Sequence, residues 1–243
     1  MIKEAIDKIL SLGEPHYKQY GQELYSDKAM SRLPKQYIPR AEPLRMSNLS
    51  SLLGYIRSFP EEMAEKMIVH VQSYERVVLL SGLDGDRKRE CLAIAEASVP
   101  EFRFNQWLGH EEFVIGVQSK FVDHEHSDKA LLLKFAGTVE SGTLAQYGDD
   151  GVSQKATIKT GVASKADAIV PNPVALCAWR TFPEVEQPIT SFVFRMKGDR
   201  DIYCALYEAD GGAWKNLAML NVARYIADFL KSVGSETNVA VIA

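Results

Sequence analysis

The chain has 243 residues, 46% of them hydrophobic and 25% charged, the balance of a globular protein with enough length to bury a large core as one big domain or two small ones. Its formal net charge of −4 argues against coating nucleic acid or an anionic membrane by electrostatics alone, which relies on clustered Lys and Arg. Three widely spaced cysteines, Cys91, Cys177 and Cys204, each sit in an apolar run, which points to buried free thiols in a reducing compartment instead of a disulfide framework or a zinc knuckle.

The opening "IKEAIDKILSLG" places Ile2, Ile6, Ile9 and Leu10 on one helical stripe and stops at Gly13, so a short helix must bury that stripe on something else. From Glu14 to Ser47 the chain is rich in Pro, Tyr and basic residues, and "KQYIPRAEPL" reads as an extended arm lying over a surface, its own or a neighbour's. "SNLSSLLGYIRSF" reads as a helix capped by Ser47 or Asn48, with Leu49, Leu52, Leu53 and Ile56 at helical spacing. The period then changes: "MIVHVQSYERVVLLSGLDGDRKRECLAIAEA" has the pattern of an antiparallel meander turning at "SYE" and "GLDGD".

"FNQWLGHEEFVIGVQSKFVD" and "HSDKALLLKFAGTVES" are predicted helices, the second capped by Ser127 or Asp128 and buried through Leu131, Leu132 and Phe135. Beyond Gly142 comes a β region, "VSQKATIKTGVA", "NPVALCAWRTF", "SFVFRMK" and "DIYCALYEA", with "GDDG" and "KGDRD" as hairpin-like turns. A long helix follows, with Trp214, Leu217, Val222, Tyr225, Ile226, Phe229 and Leu230 on its apolar face and Gly234 at its end; "TNVAVIA" can form a last strand. The order predicts a segregated α+β fold in three segments, residues 1–47 (helix and arm), 48–141 (meander plus helices) and 142–243 (sheet plus long helix), packed as one compact unit. The acidic residues of the N-terminal helix are unlike a secretory or transit peptide and no apolar run is long enough to span a bilayer, so the expectation is a cytoplasmic protein with no membrane partner.

Little in the chain looks like chemistry. "VDHEHSD" crowds Asp123, His124, Glu125, His126 and Asp128, but alternate residues at a helix start do not converge, and a polar loop ending in a cap explains them. His110 with Glu111 and Glu112 fits a helix start, where acids complement the dipole, and His70 fits a sheet position. Asp149 and Asp150 with Glu184 and Glu186 have the residue types of a magnesium site for phosphodiester hydrolysis, yet "EVEQP" puts Gln187 and a proline where a restriction-type nuclease carries lysine. No nucleophile elbow, phosphate loop or dinucleotide fingerprint is present, and no cofactor is expected. The paired glycines of "EADGGAWK" fit a tight strand-to-helix turn, with anion binding at the helix start as the rival. Arg32, Lys35, Tyr37 and Arg40 of the arm, with Arg87, Lys88 and Arg89 of "GDRKRE", form the one mixture of cations and aromatics suited to single-stranded nucleic acid. "RTFPEVEQP" itself reads as a structural bend or interface, with Arg180, Phe182, Glu184, Glu186 and Gln187 as its working residues and Trp214 beside them in role.

At "YGDDGVSQKATIKTGVA", "NPVALCAWRTFPEVEQPITSFVFRM" and "ALYEADGGAWKNLA" the chain resembles the YfdQ-like proteins, a phage and prophage family of unknown function, with a looser likeness over "PRAEPLRMSNLSSLLGYI". The resemblance implies a phage-encoded product of early, replication or recombination genes acting in the bacterial cytoplasm, and it brings no reaction. The resulting expectation is a non-enzymatic homo-oligomer whose arm lies across a neighbour, with a ring or shell as one form of that assembly. Two alternatives stand beside it: a single-strand nucleic-acid or recombination accessory factor, and a metal-dependent phosphodiesterase built on Asp149, Asp150, Glu184 and Glu186; beyond further copies of itself, the partners considered are single-stranded nucleic acid and a host protein.

Overall fold

The computed structural model describes residues 2–20, 23–28, 40–63, 66–140, 143–149, 154–160, 164–170, 172–198, 201–233 and 238–243. The chain forms two compact units, Met1–Arg40 and Ala41–Ala243.

In the first unit, helix α1 (Ile2–Gly13) is followed by an antiparallel hairpin of β1 (Tyr17–Tyr20) and β2 (Glu23–Ser26), so part of the expected extended arm pairs with itself. The hairpin is closed by His16 and Asp27, where the His16 backbone N–H donates to Asp27 Oδ1 at 2.8 Å. The amphipathic α1 has no buried residue: Ile2, Ile6, Ile9, Leu10 and Leu12 are all exposed.

The second unit is α+β and holds two apolar cores. A five-stranded sheet, in the order β14-β4-β5-β6-β3, builds the first. Its centre is the predicted meander, β4 (Met67–Ser73), β5 (Arg76–Leu80) and β6 (Cys91–Glu96), with β3 (Leu44–Met46) and β14 (Val239–Ile242) added at the edges in parallel. Strand β4 alternates as a half-buried strand must, turning Met67, Val69 and Val71 inward. Two helices cover this face. In α2 (Leu49–Ser58), Leu49, Leu52, Leu53 and Ile56 recur at helical spacing and are buried, and Asn48 caps the start by accepting from the Ser51 N–H at 2.7 Å. In α5 (Trp214–Ser232), Trp214, Ala218, Val222, Ile226 and Leu230 fall on a strict four-residue period and form the buried stripe. Leu217, expected on that stripe, is 45% exposed because it falls one position off this period.

A four-stranded sheet, β11-β12-β13-β7, builds the second core. It comprises β7 (Leu108–Gly109), β11 (Val174–Cys177), β12 (Ile189–Lys197) and β13 (Tyr203–Glu208), covered by α3 (His110–Lys120) and α4 (Lys129–Glu140). Phe192, Phe194 and Met196 alternate inward from β12 and meet Phe113, Phe121 and Phe135. The predicted helix from Phe104 starts only at His110, because Asn105 adopts a left-handed φ of 59° and Leu108 pairs with Cys204. In α4 the buried side is Leu132, Phe135 and Ala136, while Leu131 points to solvent. The Asp128 carboxylate accepts from the Ala175 N–H at 2.8 Å, tying the start of α4 to β11. A separate antiparallel sheet, β10-β9-β8, is formed by β8 (Thr143–Asp149), β9 (Gln154–Thr160) and β10 (Ser164–Val170). Among the described residues no helix is long and apolar enough to cross a membrane.

Candidate functional site between the two cores

The stretch Arg180–Pro188 is where the two cores meet. It leaves the second core at Ala178, places Phe182 and Val185 in the first, and returns to the second with Phe192. A polar loop survives this path because one side chain satisfies it from within. Gln187 is 5% exposed, and its Oε1 accepts from the Arg180 N–H at 2.9 Å and the Thr181 N–H at 3.1 Å. Its Nε2 donates to the Phe182 and Val185 carbonyls at 2.9 and 3.1 Å, so the whole amide is spent on the loop's own backbone. Three neighbours fasten the outside. Thr181 Oγ1 donates to the Tyr74 carbonyl in the β4–β5 turn. Glu184 Oε1 accepts from both the backbone N–H and the hydroxyl of Ser50, at 3.0 and 3.2 Å, and so caps the first turn of α2 from 134 residues away. Asn221 Nδ2 of α5 donates to the Glu186 carbonyl at 3.1 Å.

Arg180 at the head of this loop is 5% exposed. Its guanidinium carbon lies 4.2 Å from the ring centre of Trp214, 4.5 Å from that of Phe104 and 5.2 Å from that of Phe192. Nη1 forms an ion pair with Glu208 Oε1 at 2.8 Å. Nε and Nη2 are buried without an acceptor, and so is Trp214 Nε1. Burial pulls the Arg180 pKa below its ordinary value, and the negative charge of Glu208 opposes that shift.

Local sequence explains how these groups are held. Asn105, in its left-handed conformation, donates its N–H to the Leu206 carbonyl at 2.8 Å and accepts from the Glu208 N–H at 3.2 Å, which fixes the Phe104 loop against β13. Gly211 and Gly212, at φ of 63° and 83°, make the sharp entry to α5, and Asp210 accepts from the Gly212 and Trp214 N–H groups at 3.0 and 3.2 Å. The anion expected at that helix start is therefore the chain's own Asp210 carboxylate. Around Arg180 and Trp214 opens a cavity of about 460 Å³, lined also by Tyr74, Glu75, Phe104, Glu208 and Lys215. Burial pushes the Glu75 carboxyl up from its ordinary value, with Lys215 opposing.

The other predicted residues fall apart in space or outside the description. Glu186 is exposed while Glu184 is committed to Ser50, so these two acids serve different elements. Asp150 lies outside the described residues, and Asp149 is described only as the last residue of β8. Arg32, Lys35 and Tyr37 lie outside the described residues, and Arg40 closes the first unit. Arg87, Lys88 and Arg89 share one exposed turn in the second unit, where Asp84 Oδ1 accepts from the Asp86 and Lys88 N–H groups and Arg89 donates to the Ser81 carbonyl at 2.8 Å. In "VDHEHSD", Asp123 pairs with Lys129 at 2.8 Å and His124 Nδ1 accepts from the His126 N–H at 3.1 Å. His110 Nε2 meets the Ala136 carbonyl at 3.0 Å. Among the described residues no three His, Cys, Asp or Glu side chains gather as a metal site. Sequence reasoning picked out Arg180 and Trp214 but not Phe104, Glu208 or Tyr74. The signal for Glu208 was its place as the last residue of a strand before "ADGG", while Phe104 and Tyr74 carry no local mark.

No family model, no curated protein and no solved structure matches this chain.

Proposed function

We propose that this chain is a phage-encoded, non-enzymatic protein that works as a homo-oligomer assembled through its N-terminal unit. The observation behind this reading is the apolar stripe of α1, five large side chains on a helix that buries none of them. An isolated helix of this length is marginal in water, and its amphipathic face is stabilised chiefly by packing. A second copy offers the same stripe, which suits a two-fold, self-complementary contact. Tyr17 and Tyr25 of the adjoining hairpin, both 52% exposed, extend the apolar area.

The nucleic-acid reading rests on Arg32, Lys35, Tyr37 and Arg40 together with Arg87, Lys88 and Arg89; the first three lie outside the described residues, and Asp84, Asp86 and Glu90 stand in or beside the turn of the last three and dilute its charge. The phosphodiesterase reading needs acids facing one pocket, and Glu184 and Glu186 diverge. Size-exclusion chromatography with light scattering tests the assembly: the full chain elutes as an oligomer, and Ile6→Asp with Ile9→Asp releases folded monomer. A wild-type chain that stays monomeric at high concentration overturns the reading, and electron microscopy of the oligomer decides between a ring or shell and a smaller assembly.

A further inference from the structure

Strands β12 and β13 turn Phe192, Phe194, Met196, Cys204 and Leu206 into the second core, so the period of two sends Val193, Arg195 and Lys197, with Tyr203, Ala205 and Tyr207, to the opposite face of the sheet. The register sets Lys197 beside Tyr203, Arg195 beside Ala205 and Val193 beside Tyr207. Trp107 joins this face from the residue before β7. Its neighbour Leu108 is buried in the core, while the Trp107 ring meets that of Tyr207 edge-on with centroids 6.3 Å apart. The Lys197 ammonium lies 4.3 Å from the centre of the Trp107 ring. Three aromatic rings and two cations thus share one face of the sheet.

We propose that this face binds single-stranded nucleic acid, its bases stacked on Trp107 and Tyr203 and its phosphates beside Lys197 and Arg195. Exposure and charge select that partner. Trp107 is 37% exposed and Tyr203 41%, so both rings offer surface to a flat group. No outward position of β12 or β13 holds a carboxylate, in a chain whose net charge is −4. Neither Arg195 nor Lys197 pairs with a carboxylate among the described residues. Acids gather at one end only, where Asp201, Glu111 and Glu112 share a cleft with Tyr203, and Glu112 there is paired with Arg103. A strand would therefore run from Tyr203 toward Arg195 and away from that end. An acidic peptide matches the cations but leaves the rings uncovered, and a duplex hides its base faces in its own stack; a single strand supplies both flat bases and phosphates. This binding goes beyond the assembly proposed above and uses no residue of the first unit or of the turn at Arg87–Arg89.

The experiment uses the full chain and three probes: fluorescein-labelled oligo-deoxythymidylate of about 20 nucleotides, long enough to cover a single-strand site, a duplex of the same length, and polyglutamate as a polyanion without bases. Binding is followed by fluorescence anisotropy at about 50 mM salt and again at about 200 mM. The single strand is expected to bind saturably and to quench tryptophan emission, with the duplex at least about tenfold weaker and polyglutamate a poor competitor. Trp107→Ala and Tyr203→Ala each weaken the single strand by about tenfold, while Tyr203→Phe, which keeps the ring, stays within about twofold. Lys197→Gln weakens it and lowers the salt slope by about one. Circular dichroism checks that the variants are folded, and Tyr203, the more exposed ring, carries the test where Trp107→Ala does not fold. The proposal is overturned by a folded wild-type chain that gives no anisotropy change at low salt, by equal binding of the duplex, by full competition from polyglutamate, or by an affinity that survives loss of the Tyr203 ring and falls only when Arg87, Lys88 and Arg89 are changed together.

Discussion

The loop Arg180–Pro188 and the helix α1 exchange the roles that their compositions suggest. The loop carries two acids, an arginine, a threonine and a glutamine, and yet Arg180, Thr181, Phe182, Val185 and Gln187 are all buried. The helix carries a clean apolar stripe and buries nothing. The loop can go inside because Gln187 supplies four hydrogen bonds to its own backbone and because Phe182 and Val185 anchor it in the first core. A polar segment is buried at little cost when its donors and acceptors are matched locally, and an apolar one stays outside when its own unit offers too little surface to cover it.

Perturbing that contrast gives a graded set of outcomes. The largest effect is expected from Phe182→Ala, which empties a fully buried ring position and lowers unfolding free energy by about 3–5 kcal/mol in urea melts. Gln187→Ala follows at about 2–4 kcal/mol, since it strands two buried N–H groups and two carbonyls at once. A loss below about 0.5 kcal/mol for either change would mean that the loop is not a structural joint.

Alkaline pH probes the closed character of the second unit from another side. Burial pushes Tyr55 from its ordinary 10.0 to about 12, with the adjacent Glu62 adding to the shift, and burial alone pushes Cys204 from 9.0 to about 12. In both cases the folded state favours the neutral, protonated form. Their contribution to stability is thus complete below pH 9 to 10 and is lost as pH rises toward 12. Melts across that window should show a steady loss of stability, shallower in Tyr55→Phe. A thiol reagent at pH 8 should leave Cys177 and Cys204 unmodified in the folded chain, since both are buried with raised pKa values.

The smallest effects separate the two acids. Glu184→Gln should cost about 1 kcal/mol through its weakened hold on the α2 start, and Glu186→Gln should stay within about 0.5 kcal/mol. Metal-stimulated cleavage of a phosphodiester that disappears in both variants, with folding intact, would return the pair to catalysis.

How much of this was legible follows from the range over which each feature is decided. The elements of the meander, α2 and α5 could be read because their burial periodicity is local: Met67, Val69 and Val71 at period two, Leu49, Leu52, Leu53 and Ile56 at helical spacing. The start of α3 was misplaced because a left-handed Asn105 and the pairing of Leu108 with Cys204 are set by β13, almost a hundred residues on. The candidate site was half legible. Arg180 and Trp214 were marked by the company they keep in sequence, whereas Phe104, Tyr74 and Glu208 reach them only through folding.

The sequence by itself determined the class of fold, the capped helices, the inward faces of the strands and the absence of an ordinary catalytic motif, all properties of neighbouring residues and their spacing. Only the tertiary structure decided that a polar nonapeptide would join two cores, that Glu184 would cap a helix 134 residues earlier, and that a buried arginine would stand between three aromatic rings with donors to spare. Those outcomes depend on which distant groups meet and which are shut off from water, and neither quantity is a property of any short stretch of chain.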